Sequence, residues 1–312
     1  MSAAHQKDPN RARWVGQSVP RLEDLPLVTG RGRFAAGISF PNQLHMRVVR
    51  SSHAHGRIAA IDTTAARAMR GCVAVWTAQD VADIPPIELR PTRVQGLEPY
   101  RQPVLATDRV RYVGEPVAVV FADDPYRAED AADAVTIDID PLTAVLSADA
   151  ALGEFAPGLW TEPAVIRKSY GNVDAAFRAA HATVELDLAV GRHSGVPLET
   201  RGALARHDPQ RDVLELHAAA KRPHPNRDVL ARMLGRSSAS IHLYECHIGG
   251  GFGVRGEIYP EDVLVCVAAL RLGRPVKWIE AGLRSSMRAS TLRFGCGRFV
   301  AACSSSTSRC AS

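Results

Sequence analysis

No CxxC pair occurs anywhere in the 312-residue sequence. That argues against an iron–sulfur cluster or a structural zinc site in this chain, since both ordinarily draw on closely spaced thiolates. The six cysteines divide into Cys72, Cys246 and Cys266 in the body and Cys296, Cys303 and Cys310 near the C-terminus. The body cysteines are expected as small buried hydrophobes. Long apolar runs are missing too. The first twenty residues, through Arg11, Arg13 and Pro20, hold no stretch of signal-peptide length, and no later run approaches the roughly 18 residues that cross a membrane. No membrane segment and a cytoplasmic address are expected. Residues 281–312 contain no acid but five arginines (Arg284, Arg288, Arg293, Arg298, Arg309), which account for the whole formal charge of +5. The rest of the chain is balanced and lacks a basic stripe with interleaved aromatics, so no nucleic acid is expected as a partner.

Two catalytic signatures are also absent. There is no GxSxG, and no Ser–His–Asp arrangement can be argued from chain order. His53 and His55 share the i, i+2 spacing of ligands on one strand face, but no acid or cysteine stands near enough to complete a site. No metal is expected to be ligated directly by protein side chains.

What is present is an ordinary globular composition, 46% hydrophobic and 23% charged, long enough for about two domains with cores. Short strands alternate with short helices in an α+β pattern. LHMRVVR (44–50) and GCVAVWT (71–77) have strand character, and 84–103 reads as an irregular loop. PVAVVF is a buried strand, Asp124-Pro125 supplies a helix start, and VTIDID follows as a half-buried strand after a helix over 126–134. Residues 147–165, rich in Ala, Gly and Pro, read as a linker. Beyond it TVELDLAV (183–190), GALARHD (202–208) and VLELHAA (213–219) read as successive strands of a meander, followed by a helix over 225–234. After Glu280 the composition turns to Ser, Arg and Cys without apolar periodicity. Residues 281–312 are expected as an irregular or aberrant tail, of the kind a frame change produces, and the helix-then-strand run ending in RPVKWIE is expected to need a continuation to sit in a sheet.

The most informative stretch is IHLYECHIGGGFGVRGEIYPEDVLVCVAALRLG (241–273), read as strand, turn, helix. Glycines 249–251 and 253 permit positive φ and close approach of backbone amides to an anion. The string Gly251 to Gly256 matches GxGxxG, with Glu280 placed as a ribose-binding acid, so an NAD-binding dehydrogenase is one alternative reading. That unit normally opens a dinucleotide fold, whereas here it comes late, on a strand carrying His242, Glu245 and His247. A P-loop is excluded because Glu257-Ile258, not Lys-Ser or Lys-Thr, follows the last glycine. Glycines that serve only packing are the plain alternative.

GGGFG followed by YPED and RPVKWIE resembles the molybdopterin-binding large subunit of the xanthine dehydrogenase, aldehyde oxidase and carbon monoxide dehydrogenase family. LVTGRGRFAAGISFPNQLHMRVVRSSHAHGRIAAID (27–62) and VRYVGEPVAVVFADDPYRAEDAADAV (110–135) resemble its hammerhead domain. VPLETRG (196–202) and PHPNRDVLARMLG (223–235) resemble the start of its cofactor-binding region. The resemblance implies an N-terminal arm (1–21), an α/β hammerhead domain (22–146), the linker (147–165) and the first part of an α+β molybdenum-cofactor-binding domain (166–280).

It further implies cofactor contacts from Gly250, Gly251, Phe252 and Gly253, and from Lys221, which stands where many members carry a glutamine able to donate to an oxygen on molybdenum. Glu257 is a candidate substrate contact, one place out of register with the acid of xanthine-oxidising members. The implied cofactor is molybdopterin with molybdenum, alone or as a dinucleotide. Iron–sulfur and FAD groups would lie on partner chains, an iron–sulfur small subunit and an FAD-binding medium subunit. The implied reaction is oxidation of a small molecule (an aldehyde, a purine-like heterocycle or CO) with oxygen drawn from water. The family's base glutamate lies downstream of the matched stretch, so no catalytic residue is expected in this chain, which reads as a truncated, catalytically incomplete fragment. A non-catalytic assembly module is a third reading.

Overall fold

In the computed structural model, residues 18–88, 94–146, 150–193, 195–218, 220–253, 255–280, 293–303 and 310–311 are described. Strands β1 (Leu44–Arg50), β2 (Gly56–Asp62), β3 (Cys72–Trp76), β4 (Arg109–Val110), β5 (Pro116–Ala122) and β6 (Thr136–Pro141) come first, with helices α1 (Asp24–Val28), α2 (Thr64–Ala68) and α3 (Pro125–Asp133). The hairpin strands β7 (Glu154–Ala156) and β8 (Leu159–Trp160) and helix α4 (Val173–Arg178) follow. The remainder holds β9 (Ala182–His193), β10 (Gly202–Asp208), β11 (Val213–Ala218), α5 (Pro223–Met233), β12 (Ile241–Glu245), α6 (Pro260–Leu272), β13 (Val276–Ile279) and β14 (Arg293–Cys303). The α+β class read from the sequence is the one observed. Among the described residues no helix is long and apolar enough to cross a membrane.

The central sheet runs β12-β11-β10-β13-β1-β5-β3, and a smaller one runs β4-β2-β6. β5 is buried at every residue, which is why PVAVVFA reads as a continuous apolar run rather than an alternation. α3 starts where Asp124 accepts the amides of Tyr126 and Arg127. The strands it joins lie in different sheets, β5 in the large and β6 in the small.

Three expectations are corrected here. β9 is not part of a meander with β10 and β11; it pairs antiparallel with β14, while β10 and β11 form a hairpin. RPVKWIE has neighbours on both sides: β13 pairs parallel with β1 and antiparallel with β10. Its partner β1 lies some 230 residues earlier, a pairing that local composition does not announce. The segment expected as irregular contains β14, since a strand ladder is made by backbone groups and does not require apolar periodicity; residues 281–292 lie outside the described residues.

One core continues across this sheet. Leu44, Met46, Trp76 and Phe121 pack in the same cluster as Leu214, Leu216, Leu230 and the residues Val263 to Ala269 of α6. α6 is apolar almost all round (VLVCVAAL) and buried from Val263 to Ala269, as such a helix must be. Gly273, at φ 63°, ends it in the left-handed conformation that favours glycine.

Candidate functional site

β12 ends at Glu245 and α6 begins at Pro260, in the strand, turn and helix order read from the sequence, and the glycines lie in the long loop between them. An anion beside the glycines would therefore meet the loop's own amides rather than the N-terminus of α6. The loop leaves the sheet through His247, whose amide donates to the Arg33 carbonyl (3.0 Å) while its Nδ1 accepts from the Arg33 amide (2.8 Å).

Its glycines serve different ends. At Gly249 a Cβ would come within 2.5 Å of the Glu199 Cβ, and at Gly250 within 3.1 Å of the Pro197 Cβ. These two are held by packing, and Gly250 also has φ +105°. Gly253 needs glycine for its backbone, at φ +86°. Gly251 has neither reason: its φ is ordinary and nothing lies within 4 Å of its would-be Cβ. Between them Phe252 occupies the left-handed region at φ 41°, a conformation costly for an aromatic residue, with its ring exposed. Among the described residues, no amide of Gly250, Gly251, Phe252 or Gly253 donates to a backbone carbonyl. The loop thus presents up to four N–H donors beside open space, the arrangement by which backbone nests bind anionic groups.

Both ends of the loop are fastened to residues 199–200. The Gly249 amide donates to Glu199 Oε2 (2.8 Å), and the Glu199 amide donates back to the Gly249 carbonyl (3.2 Å). On the far side the buried Arg255 guanidinium donates to the carbonyls of Glu199 and Thr200 and lies 3.4 Å from the Glu199 carboxylate. Lys221 reaches this corner through its backbone, donating its amide to the Arg255 carbonyl (3.0 Å); its side chain is exposed. Glu257 stands 3.6 Å from the Arg222 guanidinium and lines a small cavity of about 20 Å³ with Arg255, Asn226, Tyr259 and Asp262, room for about one water. Residues 250–253, Lys221 and Glu257 thus lie along one loop and its immediate flank.

Behind the loop is a buried charge network that sequence reading missed. Arg201 bridges Glu261 (3.3 Å) and Glu280 (3.5 Å), and Arg50 of β1 closes on Glu261 at 2.5 Å. Burial opposes ionisation of Glu261, but Arg201 and Arg50 outweigh it and hold the carboxyl at about 2. Burial likewise opposes the charge on Arg201, whose pKa is nonetheless raised by Glu261 and Glu280. Glu280, taken in the dinucleotide reading for a ribose-binding acid, is instead buried, ion-paired to Arg201 and bonded to its backbone. It is committed to the sheet and unavailable to a ribose. His53 and His55 are structural: Ser51 Oγ accepts the His53 amide, and buried His55 lies 2.7 Å through Nδ1 from the Thr143 carbonyl. The signal for the missed residues was present, because ETR at 199–201 carries two of them, but their partners lie about 50 to 80 residues away.

Comparison with known proteins places this geometry. Residues 29–143 match the aldehyde oxidase and xanthine dehydrogenase a/b hammerhead domain, and residues 160–293 match the molybdopterin cofactor-binding domain. The chain is 41% identical over 278 residues to the 6-hydroxypseudooxynicotine dehydrogenase complex subunit gamma of Paenarthrobacter nicotinovorans, covering 87% of this chain and 35% of that protein. It is 39% identical to the nicotine 6-hydroxylase large subunit of the same organism, over 85% of this chain and 33% of that one. The crystal structure of quinoline 2-oxidoreductase from Pseudomonas putida 86 superposes with a TM-score of 0.84 at 32% identity, over 93% of this chain and 37% of that chain. The chain spans about a third of the length of the curated relatives it matches.

Proposed function

The chain belongs to the molybdopterin-binding large-subunit family of the xanthine dehydrogenase, aldehyde oxidase and carbon monoxide dehydrogenase type, and on that premise we propose that the Gly250–Gly253 loop is a contact surface for the molybdenum cofactor. The observation that carries this is Gly251, whose glycine identity is required neither by packing nor by backbone and which leaves open the space a Cβ would fill. An anionic pterin-type group fits amides that, among the described residues, have no backbone acceptor. Gly250, Gly251, Phe252 and Gly253 would hold it, with the exposed cation of Lys221 at the loop's flank supplying a further donor. When bound, the cofactor supplies the two-electron oxidation of carbon with oxygen drawn from water.

The substrate class is a small nitrogen heteroaromatic: two of the relatives and the superposed structure carry nicotine, pseudooxynicotine and quinoline in their names, which favours this over an aldehyde or CO. Glu257 lies near enough to the loop to approach such a ring, but its pairing with Arg222 makes charge steering a better role than proton transfer. Iron–sulfur and FAD-bearing partner subunits fit the "complex subunit" and "large subunit" in the relatives' names. No residue of this chain is assigned as catalytic base.

The test is molybdenum per protein after expression in a host that makes the cofactor, for the parent chain and for Gly251→Val. The parent is expected to carry a measurable fraction of molybdenum and the variant about tenfold less, with identical circular dichroism. No molybdenum in the parent, or equal amounts in both, would overturn the reading; saturable quenching by NADH in the same preparation would favour a dehydrogenase instead.

A further inference from the structure

Resting on the reading of the loop as a cofactor contact, we infer that Glu199 and Arg255 are positioning residues that set the shape of that loop from its two ends. Glu199 takes the entry side, with one carboxylate oxygen on the Gly249 amide and its own amide on the Gly249 carbonyl. Arg255 takes the exit side and turns back to the same two residues, through the carbonyls of Glu199 and Thr200. The segment between is tied at both ends, and among the described residues no amide of 250–253 donates to backbone. Phe252 between these ties sits in the left-handed region, a conformation that persists only when its surroundings over-determine it.

The pair is expensive for a merely structural element. Arg255 is almost wholly buried and Glu199 nearly so, and Arg255 Nε and Glu199 Oε1 are buried without a hydrogen-bond partner among the described residues. A buried ion pair gains little over apolar side chains of the same shape, so what this one contributes is geometry. The carboxylate reaches a loop amide, and the guanidinium reaches two carbonyls of the strand approach. Burial lowers the Arg255 pKa, and the Glu199 carboxylate offsets this only in part.

Hydrogen exchange read by mass spectrometry on the full chain, without cofactor, tests this independently of molybdenum content. Glu199→Ala is expected to speed exchange of peptides spanning 247–256 by about tenfold or more, with β10, β11 and α6 unchanged. Glu199→Gln, whose amide oxygen still accepts from Gly249, should restore protection to within about threefold of the parent. Arg255→Lys, a cation without the fork, should loosen the exit half of the loop more than the entry half. Unchanged loop exchange in Glu199→Ala, a rise spread over the whole molecule, or failure of Glu199→Gln to rescue would each overturn the positioning role. If the clasp behaves as expected while the parent holds no molybdenum, the cofactor reading falls alone. If the parent holds molybdenum and loop exchange is indifferent to Glu199, the clasp falls alone.

Discussion

Glu261 and Asp262 are neighbours in the first turn of α6, and their surroundings drive their acidities apart. Burial alone would raise both. Around Glu261 the guanidiniums of Arg201 and Arg50 outweigh burial and keep the carboxyl at about 2, whereas for Asp262 burial outweighs Arg201 and pushes it up to about 6. The two therefore couple to pH with opposite sign. Glu261 is depressed below its unfolded value, so its contribution to stability is present above about pH 4 and is lost as pH falls toward 2. Asp262 is raised above its unfolded value; the folded protein keeps a proton the unfolded chain releases, and stability declines as pH climbs from about 4 to about 6. Asp262→Asn still offers an oxygen to the Tyr259 amide, which Asp262 now accepts at 3.0 Å, and removes the titration. It should flatten that decline, by about 3 kcal/mol at most. Urea midpoints of parent and variant between pH 3 and 7 read this directly, and parallel curves would show that Asp262 titrates normally.

At the scale of elements, α6 is the piece that holds the loop's distal end against the sheet, and its own sequence announces it. Val263 to Ala269 are all buried, so Leu264→Ala should cost about 2–5 kcal/mol, measured by denaturant midpoint, while an exposed change such as Tyr126→Ala should stay within about 0.5 kcal/mol. Elements whose cause is local were legible in this way: α6 from its unbroken apolar run, α3 from Asp124 and Pro125, β5 from PVAVVFA. The glycine segment was legible as a candidate site because glycine clustering is itself a local signal. The path of that loop was not, since nothing in residues 246–259 states which distant residues its backbone is fastened to. The clasp residues were hidden for the related reason that Glu199 and Arg255 are partners across 56 positions. β13 was expected to need a continuation because both of its neighbours come from far earlier in the chain. Lys277 within it illustrates the point: in sequence it is a charge in a short strand, and in the fold its buried Nζ donates to the carbonyls of Ala36 and Ile38, both at 2.7 Å.

At the scale of the whole molecule, the hammerhead unit and the cofactor-binding unit share one sheet, joined where β1 pairs with β13. One hydrophobic cluster likewise spans both, with Leu44, Met46 and Phe121 packed with Leu214, Val263 and Trp278, beside two smaller clusters around Val75 and Val110 that belong to the hammerhead alone. The buried bridge from Arg50 to Glu261 crosses the same seam; removing Glu261 would leave Arg50 without its carboxylate at a cost of about 3–5 kcal/mol, whereas Glu261 without Arg50 keeps Arg201. Two family units joined so closely should not unfold separately. A single calorimetric transition is expected, with van't Hoff and calorimetric enthalpies in agreement. Cutting the chain after residue 146 sharpens the test. Alone, residues 1–146 would expose the edge of β1 and the apolar side chains that β10, β13 and α6 now cover, which is a template for aggregation. Residues 147–312 would lose the strand beside β13. Co-expressed, the two pieces should recover each other as a soluble complex, and Arg50→Ala in the first piece should weaken that association by about tenfold or more. Two well-separated transitions in the intact chain, or an independently stable and monomeric 1–146 fragment, would mean that the shared sheet is a contact between autonomous domains and that the site's rear wall is not set by the hammerhead at all.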